Sequence, residues 1–228
     1  EAIAAIDGAR AAGATEIWVK DAHDSGRNLI TPMLPADVTL IREWSGHPYS
    51  MIQELDESFA ALVMIGHHAG VGSEGNSLAH TLNTRTHMMT LNGKPVSEFR
   101  LCALAAASLG VPVVFISGDK ALMEEVEQTN PHIGRLAVKE GRGQSTISMT
   151  PLAAQNAIRA GVEKSLRGKL KDCLLPLPEK FTLDLTYVSP AMAYEKSFYP
   201  GCKYLGSRTN RVEAATILDV MRALRFIK

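Results

Sequence analysis

An α/β fold, built on a mixed, mostly parallel sheet flanked by helices, is what this sequence predicts, and three observations predict it. Short apolar runs of strand length alternate with helical patterns along the whole chain. Two of those runs, Phe59 to Ile65 and Val111 to Ser117, are almost continuously apolar, as strands covered on both faces are. No repeat, low-complexity tract or linker interrupts the alternation. With 228 residues, 46% hydrophobic and 21% charged, the chain can bury the core of one domain over 1–228, with room for a C-terminal subdomain over 151–228.

The elements follow in order. Ile3, Ile6, Ala9 and Arg10 mark an opening helix that Gly13 ends. Because the sequence starts on Glu1 inside that pattern, a strand and its loop are expected upstream of it. Glu16 to Lys20 reads as a strand, and the polar run Asp21 to Asn28 as the loop at its carboxyl end. Val38 to Ile41 is a further strand, Met51 to Leu55 a short helical piece, and Phe59 to Ile65 a buried strand that breaks at Gly66. Met88 to Leu91 followed by Asn92-Gly93 predicts a β-hairpin, since both turn residues tolerate positive φ. Ser97 then caps an Ala-rich helix that runs to Leu109 and stops at Gly110. Val111 to Ser117 is a strand, Asp119 to Gln128 a helix, Arg135 to Lys139 an extended segment, and Pro151 to Leu166 a long helix opened by Thr150 as cap. Phe181 to Tyr187 alternates as a strand, Pro200-Gly201 turns the chain, and Arg211 to Ile227 forms an amphipathic closing helix.

Composition removes several function classes. Lys plus Arg and Asp plus Glu balance at 24 each, so no global field recruits nucleic acid. No stretch approaches the roughly 20 uninterrupted apolar residues that span a bilayer, and no charged-then-apolar leader is present, so no membrane partner and a cytoplasmic location are expected. Cys102, Cys173 and Cys202 are odd in number and lack C-x-x-C spacing, which fits neither a disulfide framework nor a zinc knuckle.

In open α/β sheets, ligands bind beyond the carboxyl ends of strands, and two such ends carry histidine. Asp21-Ala22-His23-Asp24 leaves one strand; Gly66-His67-His68-Ala69 leaves another. Two imidazoles delivered to one face make a metal pair, since neutral histidine nitrogen binds zinc. Glu98, in the first turn after the Ser97 cap, is the third candidate ligand, although the helix dipole alone also favours an acid there. Of His67 and His68, one is expected to bind and the other to pack or hydrogen-bond. Asp21 either orients a ligating histidine from behind or caps its own loop. His80, beyond a Gly-rich loop, is a proton-transfer group or an ordinary polar residue, and His47, His87 and His132 default to structural roles. Gly70, Gly72 and Gly75 imitate a dinucleotide fingerprint, but two histidines separate them from the strand and no apolar helix follows. Gly141 to Thr146 lacks the lysine of a phosphate loop, so both stretches read as mobile or close-approach loops. The absence of a G-x-S-x-G elbow gives a serine mechanism little support.

Taken in sequence order, Val19-Lys20-Asp21-Ala22-His23, Ile65-Gly66-His67-His68-Ala69, Ala79-His80 and Leu91-Asn92-Gly93-Lys94-Pro95-Val96-Ser97-Glu98 resemble the D-aminopeptidase (DppA) family of zinc metallopeptidases. The likeness extends from the opening helix to the closing one, through Asn28-Leu29 and Tyr199-Pro200-Gly201. The resemblance implies two zinc ions held by an Asp and a Glu of an N-terminal D-x-E-G strand, together with His23, His68 and Glu98, and it implies His80 as the catalytic histidine. Position 67 is often tyrosine in relatives, so His67 is left, with Asp21, behind the ligands. The D-x-E-G segment is lacking in this sequence, and the expected upstream strand is where it would lie. Zinc would lower the pKa of water toward about 7 for attack on a peptide carbonyl. The resemblance further implies short peptides with an N-terminal D-residue such as D-Ala as substrates, and a ring-shaped homo-oligomer such as a decamer. An amidase or L-peptide hydrolase on the same scaffold, and a non-catalytic binding protein with a degenerate metal site, are the rival readings.

Overall fold

A computed structural model describes all residues from 1 to 228. The opening helix α1 (Ala2–Ala11) leads to β1 (Trp18–Lys20), which pairs in parallel with β2 (Thr39–Ile41) and with nothing else. β3 (Leu62–His67) begins a separate four-stranded sheet in the order β3, β6 (Val113–Asp119), β7 (Gly134–Arg142), β8 (Ser145–Ser148). The first three of these strands run parallel, and β8 returns antiparallel to β7. A third sheet is antiparallel throughout and has five strands: β10 (Cys202–Tyr204), β11 (Thr209–Ala214), β9 (Phe181–Tyr187), β4 (Thr86–Leu91) and β5 (Lys94–Pro95). The architecture is therefore α/β as expected, but the single, mostly parallel sheet is divided, and its largest part is antiparallel.

Helix α2 (Glu98–Ser108) packs on the parallel strands, and every residue from Phe99 to Ala107 except Arg100 is buried. A helix apolar on all sides must be enclosed, and its four alanines let β3, β6 and the closing helix α6 (Ile217–Ile227) approach closely. Asn92 and Gly93, at φ 52° and 76°, form the tight turn between β4 and β5. On the opposite face of the parallel sheet, α1 packs against α4 (Pro151–Leu166), and Ala4, Ala5, Phe115, Ile158 and Val162 fill the space between. Helix α3 (Lys120–Thr129) follows β6 and lies on β6 and β7. The C-terminal stretch does not stand apart: α4 covers the parallel sheet, whereas β9 enters the antiparallel sheet between β4 and β11.

Three expectations are corrected. Arg211 to Ile227 is not one helix. Thr209 to Ala214 alternates in the pattern of a strand and pairs with β9, and the helix starts only after Thr216, whose hydroxyl accepts from Asp219 N at 3.1 Å. Thr150 precedes α4 but makes no side-chain cap bond. Between Tyr187 and the turn at Gly201, α5 (Pro190–Lys196) forms behind Ser189, an element that the loop-like composition concealed. Gly141 to Thr146 is the β7–β8 hairpin, turned at Gly143 with φ 57°. All three cysteines are free, and no helix is long and apolar enough to cross a membrane.

The division of the sheets leaves a groove of about 640 Å³ between β1 and β3. Consecutive residues from Ile17 to Asp21 form one wall and from Leu62 to His68 the other, with Ile6 of α1 contributing to the lining. Because β1 is paired only with β2, and β3 only with β6, an unpaired strand edge is available on each side.

Candidate metal centre

The histidine pair is delivered by β3. Leu62 to Ile65 anchor it in the sheet, Gly66 breaks the apolar run at φ 76°, and Gly66 N donates to Ser117 Oγ at 3.2 Å. His67 pairs in register with Gly118, whose missing side chain leaves room for the His67 carbonyl: a Cβ at 118 would lie 2.1 Å from that oxygen. Burial of the His67 ring pushes its pKa down to about 4, with Glu98 opposing and His68 adding to the shift, although part of the residue's surface opens to the groove. His67 is thus held neutral, while His68, one residue on, turns towards Glu98.

Glu98 is the first residue of α2. The Ser97 hydroxyl accepts from Arg100 N at 3.3 Å, so the cap fixes where the helix starts and therefore where Glu98 stands. Its carboxylate is 6% exposed; Oε1 accepts from Leu82 N at 2.7 Å. Leu82 adopts φ 65°, a conformation unfavourable for a branched residue, and in doing so aims its N–H at Glu98. Around this carboxylate gather two imidazoles. His68 Nε2 lies 4.0 Å from Glu98 Oε2, and His80 Nε2 lies 3.8 Å from Oε1. One donor atom from each of His68, His80 and Glu98 falls within 4.8 Å of the others, so a cation held by any two of them would lie beside the third.

The loop from Gly70 to His80 is pressed against the scaffold at two glycines. A Cβ on Gly70 would meet Ser97 Cα at 2.9 Å, and one on Gly75 would meet Ala121 Cβ at 2.1 Å. The glycine run serves close approach, not a dinucleotide. Thr81, fully buried, ties the loop's ends together: its hydroxyl donates to the Val96 carbonyl at 2.9 Å and accepts from Val71 N at 3.1 Å.

Of the residues singled out in the sequence, His68, His80 and Glu98 are brought together. His23 is exposed on the loop after β1 and lines the same groove as His67, His68 and Glu98, but it is not in the three-residue cluster. Asp21 is 4% exposed and turns to its own loop, where its carboxylate accepts from Asn28 N at 2.5 Å, Leu29 N at 2.7 Å and Asn28 Nδ2 at 3.1 Å. Burial works against its ionised form, but these bonds together hold its pKa below the usual aspartate value. It reaches no imidazole. It meets His23 at the backbone N–H, and the Asn28 side chain donates to the His23 carbonyl. Thr81, Leu82 and Asp119 were missed in the sequence. Asp119 carries the one available signal, a helix-capping position directly after a buried strand.

A buried carboxylate with two imidazoles, at the carboxyl end of β3 and the head of an enclosed helix, defines an α/β protein with a metal centre of the hydrolase kind. The comparisons with known proteins agree. The D-aminopeptidase family matches residues 1–226, and the chain belongs to that family. A D-aminopeptidase of Bacillus subtilis (strain 168) is 28% identical over 216 residues, which are 93% of this chain and 77% of that protein. The solved Zn-dependent D-aminopeptidase DppA from Bacillus subtilis, described as a self-compartmentalizing protease, superposes with a TM-score of 0.89 at 26% identity, over 98% of this chain and 81% of that one.

Proposed function

We propose that this chain is a cytoplasmic, zinc-dependent aminopeptidase that releases N-terminal D-residues, D-Ala above all, from short peptides. The observation that carries the reading is the convergence of His68, His80 and Glu98 within 4.8 Å. Neutral imidazole nitrogen and carboxylate oxygen are the donor types zinc prefers, so the residues fit the ion. When bound, zinc acts as a Lewis acid and makes water nucleophilic near neutral pH.

The chain's own residues take the remaining parts. His68 and Glu98 hold one cation, and Leu82 N orients the carboxylate. His23, on the opposite wall of the groove, faces them as a ligand from the other side. The groove's two bare strand edges and apolar lining suit an extended strand, and a strand with two acids of the D-x-E-G kind would complete a site for two zinc ions there. His80 carries the proton. Its Nδ1 is engaged by the Leu78 carbonyl at 2.7 Å, which leaves Nε2 free to take a proton from the attacking water and pass it to the leaving amine. The self-compartmentalizing relative supports a homo-oligomer, as a ring that encloses its sites.

Metal analysis of the full-length product and parallel assays on D-Ala and L-Ala dipeptides test the reading; without the two acids of a D-x-E-G strand, weak or no zinc binding and no activity are expected. Zinc near two per chain with faster turnover of the D-dipeptide is expected. Faster turnover of the L-dipeptide moves the chain to a related L-peptide hydrolase, and no zinc at any concentration makes it a binding protein.

A further inference from the structure

Asp119 ends β6, caps α3 and has no exposed surface. One of its oxygens does the ordinary work of a cap: Oδ1 accepts from Leu122 N at 2.9 Å. The other serves something the helix does not need. Oδ2 accepts from Ala69 N at 2.8 Å and from Asn76 Nδ2 at 3.0 Å.

Those two donors lead to the two histidines of the cluster. The carbonyl of Ala69 lies 3.0 Å from His68 Nδ1. Asn76 Oδ1 accepts from Leu78 N at 2.9 Å, and the Leu78 carbonyl lies 2.7 Å from His80 Nδ1. A carbonyl oxygen only accepts, so each ring carries its proton on Nδ1. Both imidazoles then turn a bare Nε2 toward Glu98. The rings face each other, tilted by 32° with centroids 4.3 Å apart, so an error in either aim disturbs both.

We propose that Asp119 is a positioning residue for His68 and His80 together. A single buried oxygen fixes the tautomer and direction of His68 through the backbone N–H and carbonyl of Ala69, and of His80 through the turn from Asn76 to Leu78. The carboxylate matters because both of its partners donate, and only an acceptor with two free lone pairs satisfies them. An asparagine at 119 retains Oδ1 for the cap but offers N–H to two donors. The proposal rests on the reading of His68 as a ligand and His80 as the proton carrier. Groups that orient metal-binding histidines from behind are worth about 10- to 100-fold in metal affinity or activity.

The experiment compares the full wild-type chain with Asp119→Asn and Asn76→Ala. Three quantities are read on folded protein: the ring 15N shifts of His68 and His80 without metal, the zinc affinity, and the pH profile of kcat/KM. His68→Gln and His80→Gln assign the resonances. In wild type both rings are expected as the Nδ1–H tautomer. In Asp119→Asn both should become mixtures, with zinc affinity lowered about 10- to 100-fold; in Asn76→Ala only His80 should change, and the acid limb of the profile with it. A folded Asp119→Asn with wild-type tautomers and zinc affinity, whatever its melting temperature, reduces Asp119 to a helix cap and overturns the proposal. Should that variant not fold, an unchanged His80 tautomer in Asn76→Ala overturns it instead. Wild-type protein that binds no zinc defeats the proposed function, yet the metal-free tautomers still decide the role of Asp119.

Discussion

The Ser97 hydroxyl donates to Glu125 Oε1 at 2.9 Å, so the cap of α2 is itself held by a carboxylate of α3. Burial lifts the Glu125 carboxyl above its ordinary value of 4.5, against the hydrogen bond from Ser97 and the charge of Arg100. The folded chain therefore holds this proton more tightly than the unfolded chain does. For an acid shifted upward, the contribution to stability is complete below the ordinary value of 4.5 and is lost as pH rises through the higher folded value. Glu125→Gln, which keeps an acceptor for Ser97, is expected to match or exceed wild-type stability at neutral pH and to flatten the pH dependence above 4.5. Urea unfolding across that range checks it; a variant with a steeper pH dependence contradicts it.

His80→Ala separates proton transfer from ligation. With His68 and Glu98 intact, zinc content should persist while kcat falls by about 100- to 10,000-fold. Parallel loss of zinc and activity would instead make His80 a ligand, for which its 3.8 Å approach to Glu98 leaves room.

Gly75→Ala probes the seat of the His80 loop. The added methyl carbon would lie 2.1 Å from Ala121 Cβ, and the loop cannot simply back away, because the Gly75 carbonyl accepts from Gly141 N at 3.1 Å. Overpacking of this kind costs about 1–3 kcal/mol, and catalysis should drop further, since Asn76 follows directly and His80 ends the same loop. Thermal unfolding together with kcat reads both effects. Wild-type values for both would show that α3 yields.

Tyr187→Phe tests how α6 is fastened. The buried Tyr187 hydroxyl donates to the Ile227 carbonyl at 2.7 Å, and burial pushes its pKa up to about 12, so it remains a donor well into the alkaline range. Removing the hydroxyl leaves a carbonyl at the helix end unpaired and should cost about 1–3 kcal/mol in urea unfolding. Stability within a few tenths of wild type would mean that water replaces the bond.

Much of the site could be read from the sequence because its parts are local. Gly66 after an apolar run, Ser97 before Glu98 and Asn92-Gly93 between two short strands each state a backbone event within a few residues. What escaped depends on partners distant in the chain. Asp119 meets Ala69 across 50 positions, and nothing around Gly118-Asp119-Lys120 announces that the aspartate's second oxygen is used elsewhere. The strand at Thr209 to Ala214 was absorbed into the closing helix because Arg211, Val212 and the residues after it suit either period until β9 is placed beside them. The sheets' division is equally non-local, since Trp18 to Lys20 looks like any short strand whether or not it joins β3.

That division gives metal a mechanical part on the reading proposed above. His23 hangs from the β1–β2 pair and His68 and Glu98 from the rest of the molecule, so ions held between them would brace two shores that share no strand-to-strand hydrogen bond. Occupancy at a hundredfold excess over the dissociation constant adds about 2.7 kcal/mol to cohesion. Chelation should accordingly loosen Trp18 to Ile41 before it touches the antiparallel half, and the enzyme would carry its cofactor as a rivet as much as a reagent.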